Sequence, residues 1–423
     1  MITFEDSGKT LRLSDSIENC GLIQWLSASG TIPKSKFTAE KCYENLKNSY
    51  KSILIDFPTL RLKLVKKDNL FYWSYATDEE IKFENLVKII NSSLIDEVPE
   101  PFSLDIAPLW RVQFSQIDEK TKIKVIASHS LVDGRNIFEL LDLFASYSFN
   151  MELPDKLKIK KNQPVLYEFG KNDWFSKEIT EKKGYEPFGE IKIDHLELFP
   201  DLELPSHLIN IQRDVPYPPI SKFCRKHGIT PQAFLMAVQN EAIREFHKGE
   251  YDNIPIGIHI AVDNKASQYA TELFKKSLFF VQVGFVVPFM ENEKDMLKNM
   301  KNCAESLKKS LIGSLSCDIL YFCSNFLNYE TKKFNPPKKK FDGESVTFAS
   351  HIGLVGVGLN DLQFRFYQPV MDKKYKPSLY GYHNKEIFSF VLKTPFNIPE
   401  DYFKIIKDVS LKYYEFMKND ISE

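Results

Sequence analysis

The segment Ser128-His129-Ser130-Leu131-Val132-Asp133-Gly134 offers the plainest chemistry in this sequence. Histidine changes charge between about pH 5 and 8, so His129 is suited to remove a proton from a hydroxyl or an amine. Asp133 and Gly134 form an Asp-Gly pair that favours a turn. Taken alone, His129 reads equally well as a satisfied histidine closing a strand, and a bare His-x-x-x-Asp occurs often by chance. The basic run Lys332-Lys333-Phe334-Asn335-Pro336-Pro337-Lys338-Lys339-Lys340 is either a solvated loop or a set of point charges for phosphates. Gly353-Leu354-Val355-Gly356-Val357-Gly358 follows a strand but opens no helix, so it does not meet the nucleotide-binding fingerprint. No His-Glu-x-x-His or Gly-x-Ser-x-Gly is present. Cys20, Cys42, Cys224, Cys303, Cys317 and Cys323 form no Cys-x-x-Cys pair and no zinc-finger spacing, so no metal is expected. The other histidines, His195, His207, His227, His247, His259 and His383, read as surface or partly buried residues.

The elements around His129 decide how it is presented. Trp110, Val112 and Phe114 alternate with polar neighbours, as in a half-buried strand. Asp118-Glu119-Lys120 is a turn. Ile123, Val125 and Ala127 mark a return strand that runs directly into His129. Ile137, Phe138, Leu140, Leu141 and Phe144 then mark a helix. The histidine thus sits at a strand end just before a helix, in a loop of the kind that often carries function.

Upstream, Cys42, Leu46, Tyr50, Ile53 and Phe57 fall on one face of a helix from Phe37 to Phe57, with Thr38 as its cap and Pro58 as its stop. Leu60–Val65 and Leu70–Tyr75 read as a hairpin. Residues 151–215 carry a weaker pattern and are expected to cross between an N-terminal lobe, 1–150, and a C-terminal lobe, 216–423. A short helix from Ile220 to His227 should end at Gly228, and Thr230-Pro231 should open a longer one. Strands are expected over Ile254–Val262, Leu278–Val287, Val346–Leu354, Leu362–Tyr367 and Ile387–Leu392. Helices are expected over Glu293–Leu311 and Asp401–Phe416.

Composition narrows the class. A chain of 423 residues exceeds one ordinary core. With 56 basic against 57 acidic residues the net charge is −1, so there is no global field to attract nucleic acid. The N-terminus lacks the pattern of a signal peptide, and no run reaches the length of a transmembrane helix. Free thiols, a cytoplasmic location and a monomeric state are the corresponding expectations.

Four stretches together resemble one family. Ser128 to Gly134 is similar to the HxxxDG motif of the chloramphenicol-acetyltransferase-like superfamily, which includes plant BAHD acyltransferases, alcohol O-acetyltransferases and peptide-synthetase condensation domains. Pro108-Leu109-Trp110-Arg111 resembles the P-L-W-R strand that precedes the motif. Phe223-Cys224-Arg225-Lys226-His227-Gly228-Ile229-Thr230 resembles the junction that opens the second half. Phe348-Ala349-Ser350-His351-Ile352-Gly353 resembles a late S-N-x-G strand. The four occur in the family's order. Departures are also present: Ser128 stands where condensation domains carry a first histidine, and no D-F-G-W-G follows. Lys265, in Val262-Asp263-Asn264-Lys265, stands where an arginine usually pairs with the motif aspartate.

The resemblance implies an α/β (α+β) fold of two chloramphenicol-acetyltransferase-like lobes, mixed sheets with helices, and a tunnel between them. It implies acyl transfer, most simply of acetyl, from a CoA thioester to a small-molecule alcohol or amine, with acyl-CoA as co-substrate and no bound cofactor. Alcohol O-acetyltransferases are the nearest subtype. In that reading His129 is the general base, Asp133 holds the loop through Lys265, with Arg111 and Arg365 as alternatives, and Gly134 lets the next helix approach. Ser350 is an oxyanion donor or an ordinary strand serine, His351 contacts substrate, and Lys338, Lys339 and Lys340 meet the phosphates of CoA. Two other readings remain: a condensation-type enzyme using a carrier-bound thioester, and a catalytically silent scaffold.

Overall fold

The computed structural model describes residues 4–14, 24–67, 70–100, 102, 108–163, 165, 209–249, 252–253, 255–263, 271–276, 283–286, 288–313, 327–328, 333–334, 344–356, 358–367, 377–394 and 400–422. Most of the expected crossing segment, and half of the strand expected over Leu278–Val287, lie outside them.

In the first half, β1 (Thr10–Leu13) and β2 (Trp25–Pro33) precede helix α1 (Ala39–Asp56). The Thr38 side chain accepts a hydrogen bond from the Lys41 amide, and Cys42, Leu46, Tyr50 and Ile53 are buried along one stripe, as the spacing predicts. Proline at 58 stops this helix but begins a 3-10 turn, Pro58–Arg61, so β3 starts at Leu62 rather than Leu60. β3 (Leu62–Lys67) and β4 (Leu70–Tyr75) form the expected hairpin. β5 (Val87–Ile89) is followed by β6 (Trp110–Ile117) and β7 (Lys120–Ser128), paired from Trp110↔Ala127 to Ile117↔Lys120. Asp118 takes the positive φ of their turn, at 48°. After the motif comes α2 (Asn136–Ser148).

In the second half, β8 (Ile209–Pro216) leads into α3 (Tyr217–His227), which ends at Gly228 with φ 65°. Thr230 caps α4 (Pro231–Phe246) by accepting from the Ala233 amide. Then follow β9 (Ile256–Asp263), β10 (Val283–Val286), β11 (Phe289–Met290) and α5 (Met296–Gly313). β12 (Leu327–Asn328) and β13 (Lys333–Phe334) form a minimal pair. β14 (Glu344–Leu354), β15 (Asn360–Tyr367), β16 (Ser378–His383), β17 (Ile387–Thr394) and α6 (Glu400–Asp420) complete the chain.

Two principal sheets result. The first, in order β15-β2-β7-β6-β5, is antiparallel except for β5 and β6. The second runs β10-β9-β14-β16-β17-β8, with β11 also on β9, and is mixed because β14 lies parallel to both β9 and β16. β15 belongs to the second half in sequence but lies at the edge of the first sheet. Each sheet has its own core. One gathers α1, α2 and the inner face of the first sheet, and extends to Ile352, Tyr382 and Val391. The other lies between the second sheet and α3, α4, α5 and α6. The second sheet is therefore covered on both faces, and it touches the first lobe through one of them.

α4 approaches that second sheet most closely at Gly381 in β16. A methyl group there would lie 2.6 Å from Leu235 and 2.8 Å from Phe388. Gly381→Ala is expected to destabilise the fold by about 1–3 kcal/mol, the usual range for overpacking a filled core. Urea denaturation measures it, and an unchanged midpoint would show that α4 can move away.

Candidate functional site

His129 follows the last residue of β7. Its amide donates to the Gln24 carbonyl at 2.8 Å, which ties the loop to the start of β2. Its Nδ1 lies 2.7 Å from the Val132 carbonyl oxygen. A carbonyl only accepts, so Nδ1 carries the hydrogen, and Nε2 keeps its lone pair in the neutral ring. The ring meets Phe366 of β15 edge-on, with centroids 5.4 Å apart. Burial pushes the His129 pKa down to about 4, and the positive charge of Lys393 on β17 acts in the same direction.

Asp133 has a local role. Its Oδ1 accepts from the amides of Arg135 at 2.9 Å and Asn136 at 2.8 Å, which caps the first turn of α2. Of the cations considered for it, Lys265 lies outside the described residues. Arg365 instead pairs with Asp96 at 3.4 Å, and Arg111 reaches the Glu100 carbonyl and lies over Phe102. Gly134 looks toward β14: a methyl group there would sit 3.5 Å from Ile352 Cδ1, an ordinary contact. In the direction of a side chain, the neighbours of Gly134 are Ile352 of β14 and Phe364 of β15.

Alternation sorts β14 into two faces. Ser350 stands beside Tyr380, and Tyr380 beside Val391, in a row that faces the first core. Ser350 is 8% exposed. His351 belongs to the opposite face, with Ala349. There its Nε2 lies 3.0 Å from Nδ1 of His383, and His383 stacks on Tyr217 with centroids 3.9 Å apart. One ring must donate and the other accept, so the pair is stable only while not doubly charged. Burial lowers His351 to about 3 and His383 to about 4. Lys338, Lys339 and Lys340 lie outside the described residues.

One residue in this region was not singled out by sequence. Lys393 extends from the same face of the second sheet as Tyr380, with Nζ 3.9 Å from the Phe366 ring centroid and 5.4 Å from that of Tyr380. Its place in an apolar strand, two residues after Val391, carries the only sequence signal. Phe366 is thus in contact with both the His129 imidazole and the Lys393 ammonium. A cavity of about 350 Å³ lined by Thr31, Lys120, Lys122, Asp361 and Gln363 opens at the other end of β7. It lies about 20 Å along the strand from His129 and is not connected with this chemistry. Among the described residues no group of His, Cys, Asp or Glu is placed to hold a metal ion, and no helix is long and apolar enough to cross a membrane.

The architecture matches solved structures closely in extent and weakly in sequence. Trichothecene 15-O-acetyltransferase from Fusarium sporotrichioides superposes with a TM-score of 0.65 at 12% identity, covering 95% of this chain and 94% of that one. Polyketide synthase associated protein 5 from Mycobacterium tuberculosis gives 0.61 at 13% identity, over 96% and 98%. The epimerization domain from the third module of tyrocidine synthetase B gives 0.59 at 11%, over 99% of both. No family model and no curated protein matches the chain. The fold is that of the chloramphenicol-acetyltransferase-like and condensation domains, as the motif order implied.

Two outcomes follow from this geometry. Asp133→Ala should remove the cap of α2 and cost about 0.5–2 kcal/mol in chemical denaturation. A loss near zero would show that α2 does not depend on it. His129, His351 and His383 stay neutral in the folded protein, whereas in the unfolded chain they protonate near the ordinary histidine value of 6.5. The unfolded state therefore binds more protons as pH falls from about 6.5 toward about 4, and stability should fall across that window. Replacing both His351 and His383 with glutamine should flatten that slope; an unaltered slope would remove the pair as its source.

Proposed function

We propose that the protein is an acyltransferase that moves an acyl group, most simply acetyl, from a CoA thioester to a hydroxyl acceptor, with His129 as general base. The observation that carries this reading is the Nδ1 hydrogen bond of His129 to its own loop carbonyl. It leaves Nε2 as a lone-pair acceptor at the edge where the two halves of the chain meet. The wider support is the shared fold, since trichothecene 15-O-acetyltransferase has the same architecture.

In this mechanism Nε2 takes the acceptor's proton as its oxygen attacks the thioester carbonyl. The tetrahedral oxyanion accepts a hydrogen bond from the Ser350 hydroxyl. The intermediate collapses by breaking the carbon–sulfur bond, and the imidazolium returns its proton to the departing thiolate. No bond to the protein forms. A base held near pKa 4 is fully neutral at pH 7. Its imidazolium is then acidic enough to hand the proton on to a thiolate. An amine would serve as acceptor by the same steps. A carrier-bound thioester would serve equally as donor, a reading favoured by the likeness to peptide-synthetase domains.

The test is release of free thiol from acetyl-CoA with a panel of alcohols. His129→Ala should lower turnover by about two to four orders of magnitude while the fold persists. Wild-type turnover in a folded His129→Ala protein would end this reading, and the scaffold alternative would replace it. In the wild type, kcat/KM should stay flat down to about pH 6 and fall only as pH drops toward the His129 pKa. An acid limb centred at the ordinary histidine value would show that the site is more solvated than its geometry implies.

A further inference from the structure

Three polar groups stand on the face of the second sheet that looks toward His129. They are the hydroxyls of Ser350 and Tyr380 and the ammonium of Lys393. Among the described residues none of the three side chains has a hydrogen-bond or ion-pair partner. Removing an ammonium from water without a counter-charge is costly, and so is leaving its donors unpaired. Lys393 is partly exposed, and among the described residues its head meets two aromatic faces, Phe366 at 3.9 Å and Tyr380 at 5.4 Å, with no counter-charge. Burial accordingly pushes the Lys393 pKa down to about 7. Elsewhere in the molecule the enclosed lysines are satisfied: Lys122 by Asp96, Lys124 by the Ile95 and Glu97 carbonyls, and Lys160 by Glu139. Lys393 differs from these in kind.

We propose that Lys393, with the Tyr380 ring beside it, receives a carboxylate of the substrate, so that one of the two molecules joined at His129 is an organic acid. This rests on the acyltransferase reading for the word substrate, and on the local geometry for the anion. The ammonium supplies three donors, which a carboxylate with two oxygens can use in charge-assisted hydrogen bonds. The phosphates of a CoA thioester are poor candidates, because a pantetheine arm holds them far from the reacting carbonyl. Lys393 is instead one aromatic ring from the base. The same ring spacing sets the shape of the ligand. Phe366 contacts both groups, the His129 ring at 5.4 Å between centroids and the Lys393 Nζ at 3.9 Å, so the carboxylate lies within about one ring's span of the base, a few bonds from the reacting atom. Two sources share this chemistry: an ω-hydroxy acid as acceptor, or the half-acid acyl group of a dicarboxylic thioester.

The experiment measures binding without turnover. Ligand-observed NMR titrations compare ω-hydroxyhexanoate with hexanediol, and calorimetry compares succinyl-CoA with acetyl-CoA. The proteins are the wild type, Lys393→Met, Lys393→Arg and His129→Ala. The wild type should bind the charged member of one pair about tenfold more tightly, the scale of one charge-assisted hydrogen-bonded contact. Lys393→Met should erase that preference while circular dichroism stays unchanged, and Lys393→Arg should retain most of it. The pair that responds identifies the source of the carboxylate. The inference is overturned if neither pair shows a preference in the wild type, or if Lys393→Met keeps it. Because the readout is binding, His129→Ala should preserve the preference. In the wild type, a preference without any acyl transfer would reject the enzymatic reading and leave the anion site standing.

Discussion

Trp25 and Tyr367 are separated by most of the chain, yet their rings stack with centroids 6.0 Å apart because β15 lies antiparallel against β2. The site depends on this pairing. β15 leaves the second sheet's neighbourhood, crosses to the first and completes its edge. In doing so it brings Phe364 over Phe138 of α2 and Phe366 against His129. Asn210 of β8 holds the same strand through both the amide and the carbonyl of Phe366. The ring beside His129 is thus fixed by backbone pairing with β2 on one side of the strand and by the Asn210 side chain on the other, and it does not rely on side-chain packing alone.

Strand parity then assigns roles. Side chains alternate across a sheet, so adjacent residues on β14 cannot serve the same space. Ser350 looks to the first core and His351 to the second. The two histidines, His129 and His351, are both held neutral by burial, but for different ends. His129 spends its Nδ1 hydrogen on a loop carbonyl and keeps Nε2 uncommitted. His351 spends Nε2 on His383 and closes on itself, with its amide held by Gln232 at 2.7 Å. The similarity of their depressed pKa values says nothing about shared function; the direction of each lone pair does.

How much of this could be read from the sequence depends on the kind of signal. Helices α1 and α4 were legible because capping threonines, proline positions and apolar stripes all agree. The β6–β7 hairpin was legible from the alternation of Trp110, Val112 and Phe114. β2 went unread. One of its faces carries Ser27, Ser29 and Thr31, all buried, and the other includes Gly30, which packs against Leu359. With small polar groups on one face and residues as small as Ala28 and Gly30 on the other, the strand lacks the bulk that pattern reading needs. β16 was hidden for a related reason, since Gly381 is required there by α4. For Asp133 the sequence suggested a distant cation, Lys265, which lies outside the described residues, and it did not suggest the capping bonds two and three residues away. Lys393 could not be found from sequence, because nothing in Val391-Leu392-Lys393 announces that its head meets two aromatic rings from other strands.

Solved structures with this architecture share about one residue in eight with the chain over nearly its whole length. Such a fold is preserved by requirements that many sequences meet: apolar alternation, a cap, a small residue where a helix crosses a sheet. The chemistry has no such latitude. A base needs one nitrogen committed and one free, and that demands a carbonyl at hydrogen-bonding distance from Nδ1, supplied here by Val132 three residues on. A short loop can satisfy this without help from the rest of the chain. The surroundings of the ring are different, since Phe366 against it comes from β15 and Lys393 against Phe366 from β17, both in the second half. The hydrogen bond that orients the imidazole is thus encoded locally, whereas the groups around Phe366 are written across the sheets. Divergence of the second half would alter those surroundings long before it altered the loop that holds His129.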